Sequence, residues 1–224
     1  MAPIHLCMIT VKSFCFNSFE ENTYVLYDNT RECVIIDPGC HMKEEEKEIS
    51  HYIAMHHLIP VRLLNTHCHI DHILGNHYIS NLYQLPLETH RLEIPVLESS
   101  SYVSKLYQIN LTPSPAPSSF LDEGDIVKFG LSELKVFFTP GHSPGSITFY
   151  SEADKFVISG DVLFERSIGR TDLPGGDFDT LIESIGTKLL PLGDDVVVYS
   201  GHGNSTTIGS EKRMNPFLRE HLEN

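Results

Sequence analysis

Within the run Thr66-His67-Cys68-His69-Ile70-Asp71-His72, four side chains able to ligate a metal fall within six positions. Imidazole and carboxylate groups at this density suit metal-assisted hydrolysis, in which a bound cation activates a water. The run follows Val61–Leu64, which reads as a strand. Alternation along an extended segment turns His67 and His69 to one side and Cys68 to the other. Asp71 and His72 fall where the chain turns into a helix and can enter the same cavity from another direction. Four ligands can serve two metals, but one strand end cannot complete two coordination shells. Further donors must come from elsewhere in the chain.

Three other strand ends supply them, each beside glycine. Pro140-Gly141-His142 follows the predicted strand Leu134–Phe138, Gly160-Asp161 follows Phe156–Ser159, and Gly201-His202-Gly203 follows Val196–Tyr199. Glycine lets the backbone turn sharply and approach a ligand site closely. Ligand-type residues recurring at strand ends in this way point to one convergent site.

The elements that must position these residues are legible in outline. Phe14–Phe16 and Thr23–Tyr27 read as a hairpin, Cys33–Asp37 as a third strand stopped by Pro38-Gly39, and Met42–Leu58 as a helix closed by Pro60. Helices are predicted over Leu74–Tyr83 and Ile94–Ile109, with a short strand restarting at Pro86-Leu87 between them. The proline- and serine-rich Leu111–Ser119 reads as a loop or lid. The second half repeats the strands at Asp125–Phe129, Leu134–Phe138, Ser146–Tyr150 and Phe156–Ser159. An amphipathic helix then carries Leu181, Ile182, Ile185 and Leu189 behind an Asp177 N-cap. Val196–Tyr199 is the last predicted strand, and a short basic-flanked helix ends the chain. Strands followed by helices, twice over, predict an α/β fold of four layers, an αββα sandwich of two similar halves in a single domain spanning 1–224.

The bulk numbers agree with such a domain. The chain has 224 residues, 41% hydrophobic and 21% charged, which is ordinary globular composition. Acidic residues outnumber basic ones 30 to 16, for a net charge of -14, which disfavours nucleic acid as a partner. Met1–Thr10 lacks the pattern of a signal peptide, and no apolar stretch reaches the ~18 residues of a membrane span. The five cysteines, Cys7, Cys15, Cys33, Cys40 and Cys68, are odd in number and form no CxxC pair. That argues for reduced thiols and a cytoplasmic location.

The motif HxHxDH at 67–72, with the later His142, Asp161 and His202, resembles the metallo-β-lactamase superfamily, and the likeness covers nearly the whole chain. Asp37-Pro38-Gly39, Thr139–Gly145 and Gly160–Phe164 carry a nearer likeness to glyoxalase II-like hydrolases, the hydroxyacylglutathione hydrolase branch. Ser167–Asp172 resembles a stretch of short glyoxalase II-like proteins and of the related persulfide dioxygenases. The resemblance implies the αββα fold and two divalent metal ions, zinc first, with iron or manganese also fitting the donor set. It implies that His67, His69 and His142 hold one metal, that Asp71, His72 and His202 hold the other, and that Asp161 bridges both. A metal-bound hydroxide would attack the carbonyl of a small-molecule thioester or ester. Asp71 would orient the water or take a proton, and Asp37 would stand behind a ligand imidazole. Phe164, Arg170 and Asp172 are candidates to shape the pocket.

One departure matters. Full-length glyoxalase II carries a long C-terminal helical extension that supplies basic residues to glutathione, whereas about twenty residues follow His202 here. The reaction class carries over and glutathione recognition does not. Two further readings stay open: a persulfide dioxygenase with one iron on His67, His142 and Asp161, and a lactonase of the same fold. Elsewhere the plainer reading holds. His5, His41, His51, His56, His57, His77, His90 and His221 are structural or surface residues, Cys68 is a buried thiol, and Glu44–Glu48 is a solvated helix face. Lys212, Arg213 and Arg219 either meet an anionic substrate or complement a helix end.

Overall fold

The computed structural model describes residues 8–222, with side chains as far as 219, and the expectations on Cys7 and on the side chains of His5 and His221 lie outside them. Strands β1 (Thr10–Phe16), β2 (Glu21–Tyr27), β3 (Glu32–Ile36), β4 (Ile59–Leu64), β5 (Leu87–Thr89) and β6 (Ser119–Phe120) form one sheet in that order. The second sheet contains β7 (Ile126–Phe129), β8 (Ser132–Phe138), β9 (Ile147–Ser151) and β10 (Phe156–Gly160). After a small hairpin of β11 (Leu163–Phe164) and β12 (Ser167–Ile168), it is extended beyond β10 by β13 (Val197–Ser200) and β14 (Thr206–Thr207).

Alternation along the strands builds three apolar layers. In β2, Tyr24 and Leu26 face the second sheet while Val25 faces the other way. In β3, Val34 and Ile36 face inward and Cys33 and Ile35 outward. In β10, Phe156 and Ile158 face the first sheet and Val157 the opposite side. Both faces of each sheet are therefore apolar and must be covered on both sides. Helices α1 (Lys43–Met55), α2 (Ile70–Ile73), α3 (Asn76–Tyr83) and α4 (Ile94–Tyr107) follow the strands of the first sheet; Ile49, Ile53 and Ile79 of α1 and α3 cover its outer face. Leu181 of α5 (Phe178–Ser184), Ile208 of α6 (Ile208–Met214) and Leu218 of α7 (Pro216–Leu222) cover the second. The result is the four-layer αββα sandwich that the sequence predicts.

The parallel pairs β3·β4, β4·β5, β5·β6 and β10·β13 need crossovers, and each crossover carries helical structure. The chain thus enters each helix from the carboxyl end of a strand, and those ends lie together at one edge of the sandwich.

Several boundaries differ from expectation for local reasons. Pro60 lies second in β4, at a strand start where its missing N–H is tolerated. The helix expected from Leu74 begins at Ile70 and is broken at Gly75, whose N–H donates to the Pro38 carbonyl at 2.7 Å. The C-terminal helix is two helices, broken at Asn215. Strands β11, β12 and β14 have two residues each, too few to show a period. Within the Glu44–Glu48 run, Glu45 is no solvated side chain: it accepts from the N–H of His41 at 2.7 Å, Met42 at 2.9 Å and Asn17 at 2.7 Å, capping α1. Among the described residues no helix is long and apolar enough to cross a membrane.

Phe149 is wholly buried between the sheets. Its replacement by Ala leaves a cavity that neither sheet can close, so Phe149→Ala should lower unfolding free energy by about 3–5 kcal/mol in urea titrations. An unchanged urea midpoint would contradict the inter-sheet core.

Candidate metal centre

The carboxyl ends of five strands deliver the site. His67, His69, Asp71 and His72 follow β4, with the last two inside α2; His142 follows β8, Asp161 β10 and His202 β13, while Asp37 ends β3. Three close groups of possible metal ligands result, His67 with His69 and His142, Asp71 with His72 and His202, and Asp37 with His67 and His72, the ligand atoms of each lying within 4.8 Å of one another. Asp161 stands between the His142 and His202 groups, 3.4 Å from Nε2 of His72 and 3.5 Å from Nε2 of both His142 and His202. All seven residues singled out in the sequence are thus brought together.

Glycine at 201 makes the approach possible. A Cβ there would stand 2.1 Å from Asp161 Oδ1 and 2.7 Å from a carbon of the His72 ring. Gly141, at φ +128°, lies where a side chain would collide with the backbone of Leu181, so the His142 loop can tuck beneath α5.

The groups behind the imidazoles fix which nitrogen faces the centre. His142 Nδ1–H donates to the Arg170 carbonyl at 2.7 Å, and His202 Nδ1–H to the Phe19 carbonyl at 3.0 Å. His72 Nδ1–H donates to Asp37 Oδ2 at 3.1 Å. The Thr66 hydroxyl spends its proton on the same Asp37 oxygen at 2.6 Å, so at 3.1 Å it accepts from His67 Nδ1–H. In these four rings Nδ1 is engaged from behind and Nε2 faces the centre, which is the orientation a metal ligand needs. His69 presents Nδ1 instead, 2.8 Å from His142 Nε2, and His142 Nε2 is 3.2 Å from His67 Nε2.

Asp37 accepts two further hydrogen bonds, from the Thr66 N–H at 2.7 Å and from Asn65 Nδ2 at 3.3 Å. Its oxygens are fully engaged, which makes it a support for His72 rather than a ligand.

Burial drives His67 well below the usual imidazole range, with His72, His142 and His69 adding to the effect. Burial and His142 bring His69 down to about 4. On the other side burial opposes charge on His72, but Asp161 and Asp71 outweigh it and hold His72 well above its ordinary value. Burial would raise Asp161, yet His72 and His142 hold it well below. Asp71 is likewise lowered against burial by His72 and His202, and His202 is raised against burial by Asp71 and Asp161. On one side His67 and His69 are held toward the neutral form, and the other side holds carboxylates balanced by protons. His72 Nε2 and Asp161 Oδ1 are buried with no hydrogen-bond partner among the described residues. Leaving such atoms unsatisfied costs about 1–3 kcal/mol each, a cost that a cation between them removes. The donor set and these two atoms fit metal ions.

A cavity of about 870 Å³ opens from the centre, with His69, Asp71, His142, Asp161 and His202 in its floor. Phe164 lines it, its ring centroid 6.2 Å from that of His202. Arg170 lines it too, while Asp172 pairs with the Arg170 guanidinium through two contacts of 2.7 Å. Burial is slight there, and the Arg170 hydrogen bonds bring Asp172 down to about 2. No residue of Leu111–Ser119 lines this cavity; Ser114 instead hydrogen-bonds Asn76 at 3.2 Å, beside α3. Lys212 and Arg213 pair with Asp194 and also lie outside the lining.

Sequence reasoning missed Glu93, which no motif marks. Its wholly buried carboxylate accepts from the Cys68 N–H at 2.7 Å on one oxygen. The other oxygen accepts from the Ser143 hydroxyl at 2.5 Å and the Gly145 N–H at 2.7 Å. It therefore ties the His67–His69 segment to the His142 loop across the two sheets. Burial pushes its pKa up despite these three donors. Glu21, also wholly buried and 3.9 Å from His72 Nδ1, escaped notice for the same reason. Replacing Glu93 with Gln turns one accepting oxygen into a donor facing a donor. The Glu93→Gln protein should lose about 1–3 kcal/mol of stability, read as a lower urea midpoint.

Comparison with known proteins agrees with this geometry. Residues 18–202 match the Metallo-beta-lactamase superfamily. The chain is 36% identical over 217 residues to hydroxyacylglutathione hydrolase GloC of Haemophilus influenzae, covering 90% of this chain and 94% of that one. It is similar in structure to the BLEG-1 B3 metallo-beta-lactamase, with a TM-score of 0.83 and 38% identity over 93% of this chain and 99% of the other. It is equally similar to TTHA1623 in its di-iron-bound form, with a TM-score of 0.84 and 35% identity over 93% and 100% of the two chains. With its fold, its strand-end ligand motifs and these relatives in agreement, the chain belongs to the metallo-β-lactamase superfamily of metal-binding hydrolases.

Proposed function

We propose that this protein is a dinuclear metal-dependent hydrolase that cleaves a thioester or ester carbonyl, in the manner of the glyoxalase II-like branch, in a reducing cytoplasm. The observation that carries this reading is the position of Asp161, within 3.5 Å of Nε2 of His72, His142 and His202, so that one carboxylate joins both ligand groups. On this reading His67, His69 and His142 hold one ion, Asp71, His72 and His202 hold the other, and Asp161 serves both. Zinc suits the donors first, and iron or manganese also fit. When bound, the ions supply an acidified water and stabilise the oxyanion that develops on the carbonyl.

The chain's own residues do the rest. Asp37, Thr66 and the carbonyls of Phe19 and Arg170 orient the rings and hold the Nδ1 protons away from the centre. Asp71 Oδ2 is 3.1 Å from His202 Nε2 and lines the cavity, where it can take a proton and pass it toward the leaving group. Phe164 lines the cavity beside His202. The thioester as bond class is supported by the 36% identity to GloC, whose name specifies a hydroxyacyl ester of glutathione.

The first test is metal stoichiometry by mass spectrometry on unsupplemented protein, together with thioester hydrolysis. Close to two ions per chain and turnover are expected. One iron per chain with oxygen uptake on a persulfide would replace this reading with the dioxygenase, its iron on His67, His142 and Asp161. His69→Ala and Asp161→Ala should each abolish turnover and lower metal content, and retention of both properties would remove the ligand assignment.

Metal retention should also depend on pH. His72 and His202 are raised above the ordinary imidazole value, so each must surrender a proton to bind an ion. Affinity therefore rises with pH, and a chelator should strip the protein more completely at about pH 5.5 than at about pH 7.5, with imidazole pKa values near 6.5 as reference. Equal stripping at both would contradict it.

A further inference from the structure

The cavity above the centre is built from a helix whose polarity is reversed. In α4 the buried side chains are Ser100 and Ser104, whereas Tyr102, Leu106 and Tyr107 are 66%, 62% and 53% exposed. A helix that merely covers a core does the opposite, burying its apolar stripe and showing its serines to water. Here Tyr102, Leu106 and Tyr107 all line the cavity, joined by Pro95, Val96 and Val103, with Ser99 and Ser100 between them, while Leu97 packs on the outer core. Phe164, Ile168, Leu173 and Pro174 face them across it. At the rim, Phe19 and Tyr107 meet edge to face with centroids 5.5 Å apart.

Charge is scarce on these walls. Arg170 is the one lysine or arginine among the described residues of the lining, and its Nε and Nη2 both donate to Asp172. The acidic groups of the lining, Asp71 and Asp161, belong to the floor. Glutathione carries two carboxylates, and the cavity offers them no uncommitted cation.

We propose that the substrate of this site is a thioester or ester bearing a neutral, apolar chain of several carbons next to the scissile carbonyl, held along α4. The proposal rests on the hydrolase reading and names its substrate class. From Pro95 to Tyr107 the helical wall runs about 18 Å, enough for a chain of roughly eight carbons.

Two series of thioesters test it on the metal-loaded enzyme. One holds the thiol constant as N-acetylcysteamine and lengthens the acyl group from acetyl to octanoyl. The other holds acetyl constant and lengthens an alkyl thiol over the same range. In one series kcat/KM should climb by about four-fold per methylene over its early members, as burial of each methylene predicts, and the series that climbs identifies which side of the bond lies along α4. S-lactoylglutathione should be the poorer substrate. A flat response in both series, or a preference for S-lactoylglutathione, overturns the proposal while leaving hydrolysis intact. No turnover on any thioester sinks the hydrolase reading and this proposal with it. In the climbing series, Val103→Asp should cut the ratio of octyl-length to acetyl kcat/KM by ten-fold or more. Leu106→Asp, at a position exposed enough to spare the fold, should cut it in the same direction. An unchanged ratio in a folded Leu106→Asp enzyme counts against the α4 wall.

Discussion

Bare ring nitrogens do not gather without a reason, and the approach of His69, His142 and His67 to within 2.8 and 3.2 Å of one another is the constraint around which the molecule is arranged. Lone pairs at that separation repel, and burial removes the water that would screen them. Each ring could turn away or take up a proton. The rings of His67 and His142 are kept from turning away by a threonine hydroxyl and a backbone carbonyl that engage their Nδ1–H groups from behind. The cluster is held ready for a cation by groups that never touch the cation.

That support reaches far into the fold. Asp37 binds His72, Thr66 and Asn65 at once, and Asn65 in turn accepts from Asn76 of α3 at 2.7 Å. Across the sheets the Asn22 N–H donates to the Gly201 carbonyl at 2.7 Å, and the Tyr24 hydroxyl donates to the Ser200 carbonyl at 2.6 Å. The Ile147 N–H donates to the Thr66 carbonyl at 2.9 Å, and Glu93 ties the Cys68 segment to the His142 loop. Fold and site are therefore coupled: each half of the sandwich contributes residues to the cluster, and the bonds joining the halves run through the residues beside them.

The seven clustered residues were legible in the sequence because each stands at a strand end, where alternation and glycine mark the direction of the chain. Asp37 was legible for the same reason, through the Pro38-Gly39 turn that follows it. Glu93 and Glu21 were not, since a buried carboxylate inside a helical or strand segment looks like any surface acid until its partners are known. Their partners, at Cys68, Ser143 and Gly145 for Glu93, lie 25 to 52 positions away. Arg170 was singled out for its side chain, yet its tightest tie to the site is a main-chain carbonyl, a role that residue type cannot announce. The loop at Leu111–Ser119 followed its composition in lacking strands until Ser119, but composition could not tell which side of α3 it packs on.

The helix α4 exposes a deeper limit of sequence reading. Its Ser99-Ser100-Ser101 run weakens any amphipathic pattern, because Ser100 and Ser104 are the buried positions while Tyr102 and Tyr107 stay exposed. A reader who expects apolar groups to mark the core assigns the wrong face. The inversion makes sense once two surfaces are distinguished, one packed permanently and one packed only while substrate is bound. Small serines let α4 lie close to the protein, with the Ser104 hydroxyl donating back to the Ser101 carbonyl at 3.1 Å, and this leaves the large side chains free to form a wall. The clustered histidines and aspartates stand at the floor of the cavity and constrain the chemistry. The α4 wall carries none of the ligands and can change without disturbing them. Substrate choice can then drift along this helix while the reaction class stays fixed, which is how one scaffold hosts hydrolases as different as those whose structures it resembles.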